Sequence, residues 1–431
     1  MLIIIFLSFI TLFIFTVQKE ERTNVKNLKT SPSYTLFIEE NKKVYLPKAS
    51  DMAISYKITN LNIWSIDLML SFLIPILFII SGLSVKLRNF SHNKTKSFIL
   101  IVSIYFILFT LINYILTFPL NFYSNFINKH NYGLSNQNFV RWFSNSIKDL
   151  IISTTIGALF LWLPIVTIKK QPKYWWLHMG LLSIPILLFI TFVSPTFIDP
   201  LFNKYETIQN KELEKKIYTQ LSKTPLDNCK VYQVNKSIDT KEMNAYMTGI
   251  FNSKRIVLWD NTINNLTQDE TLCILAHEMG HYLMGHVWKS IILGSILITF
   301  ILYIVNKLCL YIINNWSNIL GFNQLFDVAA IPLIILFINF MIFITNPITN
   351  SYSRYLEKEA DRFEIELTKD NYSTITSTIK LHEESLTLPH PSKLYKIWYF
   401  SHPPYYERIK FANEYMPWQQ NKPLKYEKYI N

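Results

Sequence analysis

In the stretch "TLCILAHEMGHYLMGH", Thr271 to His286, three of the chain's nine histidines and a glutamate fall in an otherwise apolar run. An imidazole in such a run costs desolvation unless it is paired or binds a metal. His277 and His281 are four residues apart, so on a helix they share a face and can hold one ion between them. Glu278 follows the first histidine and can reach a water on that ion. This is the HExxH arrangement of zinc-dependent hydrolases, in which the cation acidifies the water and the glutamate accepts its proton during attack on a peptide carbonyl. Read alone, a HExxH pentapeptide also arises by chance in histidine-bearing helices.

A catalytic zinc takes a third protein ligand and keeps a fourth position open. No histidine stands at the spacing of the extended HExxHxxGxxH form, so the third ligand comes from elsewhere. The stretch "SRYLEKEADRF" offers Glu357 and Asp361, four apart on one helical face. A carboxylate ligand beside a second carboxylate that orients a ligating histidine through its other nitrogen is a common pairing. Glu359 is two residues off that face, and Glu364 and Glu366 follow. Taken alone, the stretch reads as a solvated acidic helix. In "YFSHPPYYERIKFA", two prolines fix the backbone after His402, and Arg408 lies at the start of a helix six residues on. A rigidly held histidine suits an oxyanion donor, and the arginine suits a carboxylate or an ion-pair partner. In isolation the block is a capped turn with a surface arginine.

The elements that position these residues are mostly apolar. Of 431 residues half are apolar, 15% aromatic and only 17% charged, which is too apolar and too charge-poor for an ordinary soluble chain. Six runs come near the ~20 residues a spanning helix needs: Trp64 to Leu87, Phe98 to Phe118, Leu150 to Ile168, Tyr174 to Ser194, Trp288 to Ile313 and Val328 to Thr349. Met1 to Val17 is a shorter seventh, with no basic n-region and no small-residue cleavage site before "QKEERTN", and reads as a retained first span. The polar regions between are a charged connector over Gln18 to Asn62, an Asn-rich loop over Leu120 to Asp149, and a foldable unit over Pro195 to Val287. The chain therefore divides into a membrane region over 1–194, a folded unit carrying the HEMGH helix over 195–287, two further spans over 288–349 and a completing segment over 350–431.

Within the foldable unit, "CKVYQV", "KRIVLWD" and "MNAYMTGI" read as strands. Thr267 with Glu270 three residues on is a capping box, which starts a helix just before the histidines. The net charge of +12 comes without a basic helix or an aromatic-basic motif, so nucleic acid is not the expected partner, and anionic lipid headgroups are. The cysteines, Cys229, Cys273 and Cys309, are odd in number and far apart and form no disulfide framework.

Taken together, HEMGH, "SRYLEKEAD", "SHPPYYERI", "PTFIDPLFNKY" and "NAYMTGIFNSKRIVLWD" resemble, in order and over nearly the whole chain, the M48 metallopeptidases of the Ste24 type, the CAAX prenyl endopeptidases. That resemblance implies a polytopic α-helical membrane protein of about seven spans around a wet chamber, with a small α+β zincin unit. It implies one zinc per chain on His277, His281 and Glu357, with Glu278 as general base and Asp361 as an orienting or proton-donating carboxylate. His402 would steady the tetrahedral intermediate, Asn244 and Ala245 would align substrate on an edge strand, and Arg408 would complete the substrate site. Tyr355 and Leu356 replace a usual basic-aromatic pair, and Glu359 stands where glutamine is common.

The implied activity is hydrolysis of the C-terminal tripeptide of prenylated CAAX proteins by a monomer in the bilayer. The alternatives are quality control of misfolded or jammed membrane proteins, and an idle zinc-binding scaffold that would not need Glu278. Lys19, Arg22, Lys26 and Lys29 after the first span place the N-terminus outside and the zinc site in the cytoplasm, while basic loops at 88–96 and 169–173 argue the other way. The expected location is the bacterial inner membrane, or the endoplasmic reticulum in a eukaryote.

Overall fold

The computed structural model describes residues 2–30, 34–39, 42–46, 48–249 and 254–430. Met1 of the expected first span and Ile250 of the expected third strand lie outside the described residues. Helix α1 (Leu2–Thr30) carries the apolar N-terminal run and continues through the charged sequence after it. A hairpin of β1 (Tyr34–Glu39) and β2 (Lys42–Leu46) follows, then α2 (Asp51–Ile80), capped by the Ser50 side chain. The expected connector over 18–62 is thus largely helix. α2 also begins and ends earlier than the apolar run from Trp64 to Leu87. It stops at Ser81, and Gly82 takes a left-handed φ of 66° before α3 (Leu83–Lys94).

Helix α4 (Phe98–Phe122) passes through a π-helical turn at Tyr123–Asn128 into α5 (Lys129–Asn131), and α6 (Phe139–Phe160) runs into α7 (Trp162–Lys170). The stretch from 120 to 149 is therefore mostly helical rather than a loop. Its polarity has another cause: Asn121, Asn125, Asn145 and Asp149, with Asn113 and Thr117 of α4, line an open cleft of about 940 Å³. α8 (Trp175–Phe192) and α9 (Ser194–Phe197) return to the polar unit.

Six helical stretches among the described residues are long and apolar enough to cross a membrane: Asp51–Ile80, Phe98–Asn131, Phe139–Lys170, Trp175–Leu201, His286–Leu320 and Val328–Thr368. Large side chains such as Ile115, Ile151, Ile292 and Ile319 are exposed, as lipid-facing positions are. α1 joins the bundle through Ile10, packed with Phe72, Ile76, Leu336 and Phe343. The fold is a polytopic helical membrane protein with a small α+β unit. α13 (His286–Leu320) and α14 (Ile331–Thr368) belong to both parts. α14 is one helix across residue 349, where the last span was expected to end, so the segment carrying Glu357 is the extension of a spanning helix.

The sheet of that unit has the order β3-β4-β6-β5. β4 (Lys230–Val234), β5 (Ala245–Thr248) and β6 (Arg255–Trp259) occupy the three expected stretches. β3 (Tyr205–Thr207) is added to them, too short to leave a pattern. β4 and β6 are parallel, and β5 is an edge strand antiparallel to β6. α10 (Lys211–Leu221), α11 (Asp260–Asn265) and α12 (Gln268–Leu283) surround it. The core of the unit joins Ile217, Ile256, Leu275 and Met279 to Ala360 and Phe363 of α14. α15 (Asn371–Glu384), α16 (Lys393–Tyr399) and α17 (Tyr405–Glu414) follow, and a C-terminal segment with short 3-10 turns comes after them. All three cysteines are buried and free.

Candidate active site

Two helices carry the chemistry, and their sequences explain how they meet. α12 starts at Thr267, whose side chain accepts from the Glu270 N–H while the Glu270 carboxylate accepts from the Thr267 N–H at 2.8 Å, closing the capping box. Lys380 on α15 adds an ion pair to Glu270 at 2.7 Å. On the next turn but one, Gly280 faces Phe363. A Cβ there would stand 2.9 Å from the Phe363 ring, so only glycine lets α12 approach α14 this closely. That approach sets the His277–His281 face of α12 against the acidic face of α14.

His277 Nε2 lies 3.2 Å from Glu357 Oε2 and 3.1 Å from His281 Nε2, and His281 Nε2 lies 3.5 Å from Glu357 Oε1. Tetrahedral zinc with ligand bonds of about 2.0–2.1 Å places its donors about 3.3 Å apart. Two imidazole nitrogens and one carboxylate at 3.1–3.5 Å match that spacing. The residues present fit the cation.

The outer nitrogen of His277 faces Asp361. Nδ1 is 3.0 Å from Oδ1 and 3.6 Å from Glu364 Oε2, with poor alignment for a hydrogen bond. Arg408 grips Asp361, donating from Nε to both carboxylate oxygens at 3.1 Å and from Nη2 to Oδ1 at 2.6 Å. Of the partners expected for Arg408, the ion-pair carboxylate is Asp361. Its guanidinium is nearly buried on Asp361 and lies outside the lining of the cleft at Glu278. It also makes Asp361 a poor proton donor, because a carboxylate held by an arginine stays charged.

Glu278 and His402 line a cleft of about 690 Å³ that also exposes His277, His281, Asn244 and Ala245. Burial raises the Glu278 carboxyl above the ordinary glutamate value, and the charges of His277 and His281 draw it back. A buried carboxyl drawn toward neutrality is suited to exchange a proton with water. His402 follows α16, whose end is held where Arg354 donates to the carbonyls of Lys396 (3.1 Å) and Phe400 (2.5 Å). Its Nδ1 is 3.0 Å from Ser401 Oγ, and its Nε2 is 3.4 Å from Glu357 Oε1, directed at the ligand cluster. Immediately before β5, the Asn244 carbonyl accepts from Trp259 N–H at 3.0 Å. The alternation of an antiparallel pair therefore turns the main-chain groups of Ala245 and Met247 away from β6, and the Ala245 N–H donates to Asn244 Oδ1 at 2.8 Å.

The acidic stretch is not solvated. Glu357, Glu359, Asp361, Glu364 and Glu366 are all buried. Glu359 binds Lys425 and the Tyr426 hydroxyl, while Glu366 accepts from Tyr415 Oη (2.5 Å) and from the N–H groups of Lys425 (3.0 Å) and Tyr426 (2.8 Å). These two carboxylates clamp the C-terminal segment to the back of α14. Sequence reasoning missed this, and the only local signal was an acidic density too high for one exposed face.

A paired-histidine helix with an adjacent base, completed by a carboxylate from a spanning helix, defines a polytopic membrane metalloprotease. Comparison with known proteins agrees. Residues 207–416 match the model of peptidase family M48, and residues 24–204 match the CAAX prenyl protease N-terminal region of five membrane helices. The chain is 34% identical over 375 residues to the uncharacterized metalloprotease YhfN of Bacillus subtilis, covering 85% of this chain and 86% of that one. It is 30% identical over 311 residues to CAAX prenyl protease 1 of Saccharomyces cerevisiae, covering 68% and 67%. The fold matches the crystal structure of S. mikatae Ste24p with a TM-score of 0.76 over 94% of this chain and 98% of that one, at 22% identity. The chain belongs to peptidase family M48, as a Ste24-like membrane metalloprotease.

Proposed function

We propose that this metalloprotease holds one zinc per chain on His277, His281 and Glu357 and removes the C-terminal tripeptide of prenylated CAAX proteins. The observation that carries the reading is the composition of the cleft. Its lining combines the ligand cluster with apolar side chains of the spanning helices, Leu187, Ile291, Leu297, Ile298 and Ile342. A polar reaction centre in a lipid-like lining suits a peptide that carries an apolar chain near its scissile bond. The names of the yeast and other eukaryotic relatives support the same substrate class.

When bound, zinc supplies Lewis acidity to a water and to the scissile carbonyl. The chain's own residues do the rest. The outer edge of β5, where Ala245 and Met247 turn their main chain outward beside the Asn244 side chain, aligns the substrate backbone by strand addition. Glu278 accepts the proton of the attacking water and passes it to the leaving amine. His402 donates from Nε2 to the oxygen that becomes negative. Asp361, kept charged by Arg408, holds the His277 ring in the tautomer that leaves Nε2 free to bind.

The catalytic side faces the cytoplasm of a bacterial inner membrane, and the chain acts as a monomer. A reporter fused after Asn431 is accordingly inaccessible to external protease in intact cells. The deciding experiment is hydrolysis by the purified protein of a farnesylated CAAX peptide beside its unprenylated twin. Preference for the farnesylated peptide by tenfold or more in kcat/KM supports the reading. Equal cleavage of both, together with cleavage of unfolded membrane segments, overturns it in favour of quality control.

A further inference from the structure

The two ligating histidines have different outer partners. His277 Nδ1 faces the carboxylate of Asp361, whereas His281 Nδ1 faces an imidazole, with His286 Nδ1 at 3.0 Å. The two rings meet edge to face, with centroids 4.9 Å apart and planes at 83°. We propose that His286 is a positioning residue for the metal, its Nδ1 accepting a hydrogen bond from Nδ1–H of His281. This rests on the zinc assignment proposed above.

The tautomers follow from valence. With the Nε2 lone pair of His281 directed at the ligand cluster, the proton of that neutral ring sits on Nδ1, which becomes a donor. The atom facing it must then be an acceptor. Nδ1 of His286 can accept only as the neutral ring protonated at Nε2. The contact is built into the fold. Gly285, at φ 65°, makes the two-residue turn between α12 and α13 and returns the chain so that residue 286 meets residue 281. His286 is 3% exposed, and it is the first residue of a spanning helix 35 residues long. The outer nitrogen of a zinc ligand is thus tied directly to a membrane helix.

The pair of partners has a chemical consequence. A carboxylate makes the imidazole it orients a stronger donor, and a neutral imidazole does so less. An anionic partner on one ligand and a neutral one on the other orients both rings while limiting the electron density passed to the metal.

The test uses the full-length protein in detergent and measures zinc affinity by chelator competition, with thermal unfolding of the metal-free protein as the folding check. Asparagine can place its amide oxygen near the Nδ1 position, whereas glutamine reaches toward Nε2 and leucine accepts nothing. His286→Leu and His286→Gln are expected to lose ten- to a hundredfold in affinity, the range for removing such a partner. His286→Asn is expected to stay within about threefold of wild type. The d–d spectrum of the cobalt-substituted protein is expected to shift in the Leu and Gln variants and to be restored in Asn. If all three variants bind zinc like wild type, or all three lose affinity alike, His286 is only a packing residue and the proposal fails. His281→Ala is the separate check on the zinc assignment, since unchanged affinity there sinks that reading whatever the His286 variants do.

Discussion

Glu357, on the extension of a membrane-spanning helix, places Oε2 3.2 Å from Nε2 of His277, eighty residues earlier on a helix of the polar unit. Glu357 is the α14 carboxylate grouped with both histidines, whereas Asp361 and Glu364 face the other nitrogen of His277. Glu357→Ala is expected to abolish stoichiometric metal binding. Glu359→Ala is expected to keep the metal, yet to cost about 1–3 kcal/mol of stability by leaving Lys425 and Tyr426 without their buried partner. Metal analysis and thermal unfolding of the two variants separate the roles, and equal metal loss in both would refute the ligand assignment.

Glu278→Gln keeps the shape and hydrogen bonding of the side chain but removes its basicity. Zinc content near one per chain, unchanged unfolding and a fall in kcat of about 10²–10⁴-fold are expected. Near-normal hydrolysis by a zinc-loaded variant would be incompatible with a glutamate base. His277→Ala, by contrast, is expected to empty the site.

His402→Ala tests the donor reading of the Ser-His-Pro-Pro block. Its Nε2 faces the ligand cluster from outside, so metal should remain while kcat falls about 10²-fold. The split matters: a role in substrate binding alone would raise KM and leave kcat unchanged.

Glu270 provides a pH test away from the metal. Burial works to raise its pKa, but Lys380 and the Thr267 N–H outweigh that and hold it below the ordinary glutamate value. A folded-state pKa depressed in this way contributes stability above the unfolded pKa, and that contribution is lost as pH falls through the folded one. The difference in melting temperature between wild type and Glu270→Gln should be constant near neutrality and shrink on acidification below the ordinary glutamate range. A gap independent of pH down to about 3, beyond the ordinary carboxylate range, would show that the Lys380 pair contributes nothing.

Arg408→Gln leaves the buried Asp361 charge without its partner. Breaking such a pair costs about 3–5 kcal/mol, and the freed carboxylate should loosen the His277 ring and weaken metal binding by about tenfold or more. A variant with wild-type stability and metal affinity but a raised KM would restore the substrate-binding role that the contact with Asp361 argues against.

Much of the active centre was legible because its signals are local. The i, i+4 pair at His277 and His281, the adjacent Glu278 and the Thr267–Glu270 capping box each depend only on the 3.6-residue period of one helix, and apolar runs report burial in lipid without reference to neighbours. Tertiary structure decided what depends on two elements meeting. Whether Glu357 reaches the histidines turns on the close approach at Gly280, and whether Arg408 meets substrate or Asp361 turns on how α17 folds against α14. The acidic run on α14 has one composition and several fates. A carboxylate's character is set by what stands opposite it, a histidine for Glu357, an arginine for Asp361 and the C-terminal segment for Glu359 and Glu366. Likewise the polar residues of α4 and α6 look like loop until the fold forms a cleft for them to face. Partners distant in sequence leave no periodic trace, because the contact energy that selects them exists only once the helices have packed.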